Sequence, residues 1–189
     1  MKRHNEQFVD LSALTGSEGR RDSQSGWQAF VGRAFSNTNI LDCGSGLGQS
    51  RARLSVNENK VTLLEPAPNM PADIKGIIDD QPDDSYDLVT SFDVIEHIPD
   101  DEKFLDNLMR VSRKSVFITT PNFKVFGCKN KFHVREYKPE ELADMCLERS
   151  DSVRFFICGN TMGNNPSEVT EEQFRQTMAP ALAALIEKK

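Results

Sequence analysis

Short apolar runs recur along the chain, separated by longer stretches in which apolar residues return every third or fourth position. Residues 39–42, 61–64, 74–78, 86–91, 116–119 and 153–158 are brief and mostly free of charge, as strands buried on both faces are. Between them, Trp27, Phe30, Val31, Ala34 and Phe35 keep helical spacing, and Phe104, Leu105, Leu108 and Val111 share one face of a helix over 103–111. Pro139 followed by Glu140 and Glu141 opens a further helix, since proline tolerates the first turn and carboxylates favour that end of the dipole. Thr170-Glu171-Glu172-Gln173 has the spacing of a capping box. It predicts a last helix running to about Glu187, with Phe174, Met178, Leu182 and Leu185 as its apolar stripe. Strands alternating with helices predict one α/β domain, a doubly wound, mostly parallel sheet with helices on both faces. The polar opening carries Gly16, Gly19 and Gly26 among serines. It predicts a flexible arm over residues 1–26, with the folded domain at 27–189.

The first strand ends in Asp42 and runs into Gly44, Gly46 and Gly48. Three missing Cβ atoms at the carboxyl edge of such a sheet let the backbone turn sharply and approach a ligand closely. A dinucleotide turn reads G-x-G-x-x-G/A. Position 49 is Gln here, so the D-x-G-x-G-x-G spacing favours a ligand without a pyrophosphate. Glu65 closes the next strand, where a carboxylate can accept both hydrogen bonds of a ribose diol. Taken alone, that acid suits either an adenosine-containing cofactor or a nicotinamide dinucleotide.

Two later strings separate these. Tyr86-Asp87-Leu88-Val89 leads into Ser91-Phe92-Asp93-Val94-Ile95-Glu96-His97-Ile98, and Val116-Phe117-Ile118-Thr119-Thr120-Pro121-Asn122 follows a predicted helix. With them the chain resembles the class I S-adenosylmethionine-dependent methyltransferases over roughly residues 28–158, the motifs standing in family order. The resemblance implies a Rossmann-like sheet of seven strands whose last strands form an antiparallel hairpin. Beyond 153–158 the pattern offers only residues 160–166 and one helix, so six or seven strands are expected and no residues are assigned to the seventh. The resemblance also implies the cofactor, S-adenosylmethionine, with S-adenosylhomocysteine as product. Gly44, Ser45, Gly46 and Gly48 should line its methionine part, Glu65 and the adjoining Pro66 its ribose, and Asp42 should favour its positive charge. Asp79, ahead of Asp80, is the candidate near the adenine amine, and Ser91 and Phe92 should border the cofactor through their backbone.

Residues 131–142 are similar to a segment found after the fifth strand in a subset of methyltransferases, some of which act on sugars or other small metabolites. In an extended segment His133, Arg135 and Tyr137 point to one face. Arg135 and Tyr137 are then candidate acceptor-binding residues. His133 and His97 are candidate general bases, histidine being matched to neutral pH; a structural cap is the other reading of His97. The function expected is methyl transfer to an oxygen or nitrogen of a small-molecule or glycan acceptor. The alternatives are a non-catalytic donor-binding or scaffold protein and a methyltransferase acting on a macromolecule.

Composition narrows this further. A length of 189 residues suits one core. A formal net charge of −6 repels polyphosphate, so a nucleic-acid partner is disfavoured, although Lys124, Lys129 and Lys131 form a local basic cluster. The N-P-P-(Y/F) string of amino-group DNA methyltransferases is missing after the 86–91 strand. Cys43, Cys128, Cys146 and Cys158 form no C-x-x-C pair, which argues against a zinc knuckle or disulfide scaffold, and no metal ligand set is expected. With no long apolar run for a signal or membrane span, the expected setting is cytoplasmic, as a monomer or homodimer.

Overall fold

The computed structural model describes residues 24–127 and 131–188. Most of the predicted arm, together with Cys128 and Lys129, lies outside them. In chain order the elements are α1 (Ser25–Ala34), β1 (Asn39–Cys43), α2 (Ser50–Leu54), β2 (Lys60–Leu64), β3 (Tyr86–Phe92), α3 (Asp101–Val111), β4 (Ser112–Pro121), α4 (Phe123–Phe126), α5 (Pro139–Leu147), β5 (Val153–Cys158), β6 (Ser167–Val169), α6 (Glu171–Arg175) and β7 (Ala181–Glu187). Single 3-10 turns occupy Ile78–Asp80 and Ile95–His97. Helix α1 begins inside the stretch assigned to the arm, and Gly26 N–H donates to the Met162 carbonyl at 2.8 Å.

One seven-stranded sheet runs in the order β2-β1-β3-β4-β7-β5-β6. β2, β1, β3 and β4 pair in parallel; β7 lies antiparallel between β4 and β5, and β6 antiparallel to β5. Side chains alternate across the pleat. Ile40, Leu88, Phe117 and Phe156 meet Trp27, Val31 and Leu54 from α1 and α2 on one face. Leu41, Val89, Val116 and Ile118 meet Leu105, Leu108, Leu142 and Phe174 from α3, α5 and α6 on the other. A sheet covered on both sides explains why its strands read as unbroken apolar runs.

Two expectations are corrected. The predicted last helix stops after α6, and Leu182 and Leu185 belong to β7. Pro180 ends the helical pattern. Ala181-Leu182-Ala183-Ala184-Leu185-Ile186 is buried along its whole length, and pairing with a strand on each side overrides the helix propensity of alanine and leucine. The sheet therefore has its seventh strand. The run at 74–78 forms no strand: only Ile74 pairs, through one parallel bridge to Leu64. Beside it the Asp73 carboxylate accepts from Leu63 N–H at 2.8 Å, Gly76 interrupts the apolar pattern, and the chain curls into the Ile78–Asp80 turn.

Candidate active site

Parallel β1, β3 and β4 end at one edge, and the loops that follow assemble two adjoining clusters there. In the first, β1 delivers Asp42, 2% exposed, where Ser50 Oγ and Thr90 Oγ1 donate to its two oxygens. Burial pushes the Asp42 carboxyl up to about 6, helped by the charge of Glu65 and opposed by those two hydrogen bonds. Gly44 follows at φ 78°, and a Cβ there would lie 2.6 Å from Val94 Cγ2, so only glycine fits. Gly44 and Ser45 donate their N–H groups to the Leu64 carbonyl at 2.9 and 3.2 Å, tying the turn to the end of β2. Glu65 stands next in line, 3% exposed. One of its oxygens accepts from Gly46 N–H at 2.8 Å and the other from Ala67 N–H at 3.0 Å, so the carboxylate clasps the glycine turn while each oxygen retains acceptor capacity.

Pro66 adjoins Glu65 at intermediate exposure. Asp79 pairs with Lys103 at 2.6 Å on the surface of the 3-10 turn. Burial pushes the Cys43 thiol well up, and the negative charges of Asp42, Glu65 and Asp79 add to that rise. Cys43 stays a packed thiol. The Ser45 and Ser91 hydroxyls are buried with no hydrogen-bond partner among the described residues. Phe92 turns its ring into the core, 6.0 Å from that of Phe117, which leaves its backbone at the edge. A bare backbone turn, two orphaned hydroxyls, a ribose-competent carboxylate and a second buried acid fit an adenosyl sulfonium at this crevice.

The second cluster follows β3 and β4. Asp93 N–H and Thr119 Oγ1 lie 3.0 Å apart, and that hydroxyl donates to the Asp93 carboxylate at 2.6 Å. Gln24 Nε2 reaches the same carboxylate at 2.9 Å, and burial raises its pKa. Glu96 is 1% exposed; Thr120 Oγ1 donates to Oε2 at 3.3 Å, while Oε1 has no hydrogen-bond partner among the described residues. Burial, reinforced by Asp93 and Glu136, pushes Glu96 well above the ordinary carboxyl range. His97 and His133 meet edge to face with ring centres 4.8 Å apart. His97 Nδ1 lies 2.8 Å from the Phe132 carbonyl, and His133 Nδ1 lies 2.9 Å from Glu136 Oε1.

The segment bearing His133 is turned rather than extended, pairing only through a single bridge between Asn122 and Tyr137. Val134 and Arg135 N–H groups both donate to the Glu96 carbonyl, at 2.9 and 3.3 Å, which bends the chain and overrides strand alternation. His133 consequently parts from the other two predicted side chains. His133 joins His97. Arg135 lies over the Tyr137 ring, 4.8 Å from its centre, and pairs with the Asp101 carboxylate. Tyr137 is fully buried, its hydroxyl donating to the same Asp101 oxygen, and burial pushes its pKa up.

Asp93, Glu96, Thr119, Thr120 and Glu136 were not among the candidates drawn from the sequence. The signal was present in part, because Asp93 and Glu96 are the only acids in the apolar string that precedes His97.

A family model described as a methyltransferase domain matches residues 17–156. A relative named a probable S-adenosylmethionine-dependent methyltransferase, from Mycobacterium tuberculosis, is 35% identical over 85 residues; these are 41% of this chain and 31% of the relative, so the match spans about a third of that protein's length. Among solved structures, a chain of the complex between the Haloferax volcanii Trm112 methyltransferase activator and its methyltransferase superposes with a TM-score of 0.70 at 14% identity, covering 93% of this chain and 94% of the other. An S-adenosylmethionine-dependent methyltransferase from Thermotoga maritima gives 0.66 at 15% identity, covering 86% and 87%. The plantazolicin methyltransferase BpumL, bound to S-adenosylhomocysteine and a triazolic desmethylPZN analog, gives 0.65 at 14% identity, covering 95% and 90%. These structural likenesses fix the fold, and with the family model spanning most of the residues the chain belongs to the methyltransferase-domain family.

Proposed function

We propose that the protein transfers the methyl group of S-adenosylmethionine to an oxygen or nitrogen of a small-molecule or glycan acceptor. The observation that carries this reading is the adjacency of the two clusters: the glycine turn clasped by Glu65, and the polar group of Asp93, Glu96, His97 and His133 at the same sheet edge. The donor supplies an already activated methyl on a sulfonium. The residues present would act by holding and orienting the reactants and excluding water. Gly44, Ser45, Gly46 and Gly48 would carry the methionine part, Glu65 and Pro66 the ribose, Asp79 the adenine side, and Ser91 with Phe92 the near wall. His133, backed by Glu136, or His97, backed by the Phe132 carbonyl, would take the proton of a hydroxyl acceptor. Arg135 and Tyr137, joined through Asp101, would shape the acceptor side. The acidic net charge supports a small acceptor over nucleic acid. No described helix is long and apolar enough to cross a membrane.

Calorimetry with S-adenosylmethionine, followed by turnover assays on hydroxyl and amine acceptors, tests the proposal. Donor binding and homocysteine-adduct formation with a small acceptor are expected. Failure to bind millimolar donor while folded rejects it, and turnover on protein or nucleic acid alone reverses the choice of acceptor.

Asp42 adds a pH dependence. Its folded carboxyl titrates near 6 against 3.8 in its reference state, so the folded chain binds this proton more tightly and ligand-free stability falls as pH rises from about 4 to 6. A sulfonium favours the carboxylate, which means that donor binding expels the proton. Affinity for S-adenosylmethionine should therefore rise up to about tenfold between pH 5 and 7. The neutral-sulfur product should respond less, and Asp42→Asn should flatten the difference. Parallel pH profiles for donor and product in the unmodified protein would count against this role of Asp42.

A further inference from the structure

Glu96, His97 and His133 share a geometry that proton transfer alone does not require. One ring nitrogen of each histidine and one carboxylate oxygen of Glu96 all lie within 4.8 Å of one another. Around a four-coordinate cation with bonds of about 2.0–2.2 Å, ligand atoms stand about 3.5 Å apart. Modest side-chain rotations therefore separate the present arrangement from a coordination sphere.

The tautomers are already set for it. The Phe132 carbonyl can only accept, so His97 Nδ1, 2.8 Å away, carries the proton and the lone pair of the neutral ring sits on Nε2. Glu136 Oε1, 2.9 Å from His133 Nδ1, imposes the same tautomer on the second ring. A carbonyl or carboxylate behind the far ring nitrogen is how metal-bound histidines are usually held. The position of His133 is also fixed from behind, because the next two backbone N–H groups donate to the carbonyl of Glu96 itself.

Glu96 supplies an independent observation. Its side chain is inside the protein, and Oε1 meets no hydrogen-bond donor among the described residues. Leaving a carboxylate oxygen dry and unpaired is unfavourable. Two imidazole rings stand beside it, so a cation shared with them is a partner that would satisfy it.

We propose that Glu96, His97 and His133 form a binding site for a divalent first-row transition cation, with Zn²⁺ or Mn²⁺ as the class of occupant. Two imidazoles and one carboxylate select such ions over Mg²⁺ or Ca²⁺, which prefer oxygen throughout. Three protein ligands leave at least one position for an outside oxygen, as catalytic sites do. A hydroxyl acceptor bound there would lose its proton to solvent near neutral pH, by the effect that acidifies metal-bound water, and with the cation bound the two histidines would hold it instead of taking that proton. That role rests on the methyl-transfer reading; binding of the cation does not.

The test is a titration of tag-free, chelator-treated protein with Co²⁺ in the absence of donor, then displacement by Zn²⁺ followed by calorimetry. Visible ligand-field bands and one equivalent of Zn²⁺ bound at micromolar or lower Kd are expected. Glu96→Gln and His133→Asn should each weaken Zn²⁺ at least tenfold and Glu136→Gln about tenfold, with circular dichroism confirming the fold, while Val134→Ala, at an exposed side chain, should leave binding unchanged. A wild-type protein that gives no bands and binds no Zn²⁺ at millimolar cation overturns the site, without recourse to any variant. Undiminished binding in both Glu96→Gln and His133→Asn overturns it too. Donor calorimetry run separately distinguishes the two proposals: cation binding without donor binding supports the metal site and rejects methyl transfer, and the converse rejects the metal site alone.

Discussion

Glu65→Ala is expected to weaken S-adenosylmethionine binding by about two orders of magnitude. Hydrogen bonds to a charged partner contribute about 1.5–3 kcal/mol each, and two bonds to a ribose diol near the lower figure correspond to a factor on the order of 100 in Kd. The same carboxylate clasps Gly46 N–H and Ala67 N–H, so alanine also loosens the turn proposed to hold the donor. Glu65→Gln keeps the side-chain length and one acceptor, and should lose only about tenfold, the worth of one charged hydrogen bond. Calorimetry with donor and product on both variants, each checked for a cooperative unfolding transition, measures the effect. A folded Glu65→Ala protein with wild-type Kd would remove Glu65 from the ribose.

Gly44→Ala should both destabilise the protein and abolish donor binding. The φ of 78° costs a residue with a Cβ about 1–2 kcal/mol. Forcing that atom against Val94 Cγ2 adds about 1–3 kcal/mol of overpacking. Chemical denaturation should show the sum, about 2–5 kcal/mol. Val94→Ala in the same chain should restore the steric part and leave the backbone part. Gly46→Ala is the informative contrast: its φ is 51°, yet nothing lies within 4 Å of the added Cβ. It should cost only about 1–2 kcal/mol of stability while obstructing the space a donor would fill. Equal unfolding free energies for Gly44→Ala and wild type would sink the argument for this turn.

The residues proposed for the donor could be brought together from the sequence because their arrangement is local. Asp42 lies one residue before the end of β1, the glycines follow it, and Glu65 comes directly after β2, so chain order alone brings them together. The residues proposed for the acceptor could be read only as a set of side chains without geometry. Glu136 faces His133 because the loop bends onto the Glu96 carbonyl, and Arg135 and Tyr137 converge on Asp101 from far along the chain. Strand alternation is a two-residue rule and cannot anticipate either contact. The C-terminal stretch failed for a related reason. Alanine and leucine favour a helix in isolation, and Leu182 and Leu185 become strand residues only because β4 and β5 leave a slot between them. At Trp27 local spacing and tertiary packing agree, and its ring is fully buried between α1 and the sheet.

The place of β7 has a consequence for biosynthesis. The segment at 181–187 leaves the ribosome after the other six described strands of this sheet, yet it supplies the middle seam that joins β4 to β5. Until it emerges, a nascent chain presents two unfinished half-sheets with open edges, and such edges recruit other chains. Truncation before Ala181 should accordingly yield aggregates rather than a smaller folded enzyme.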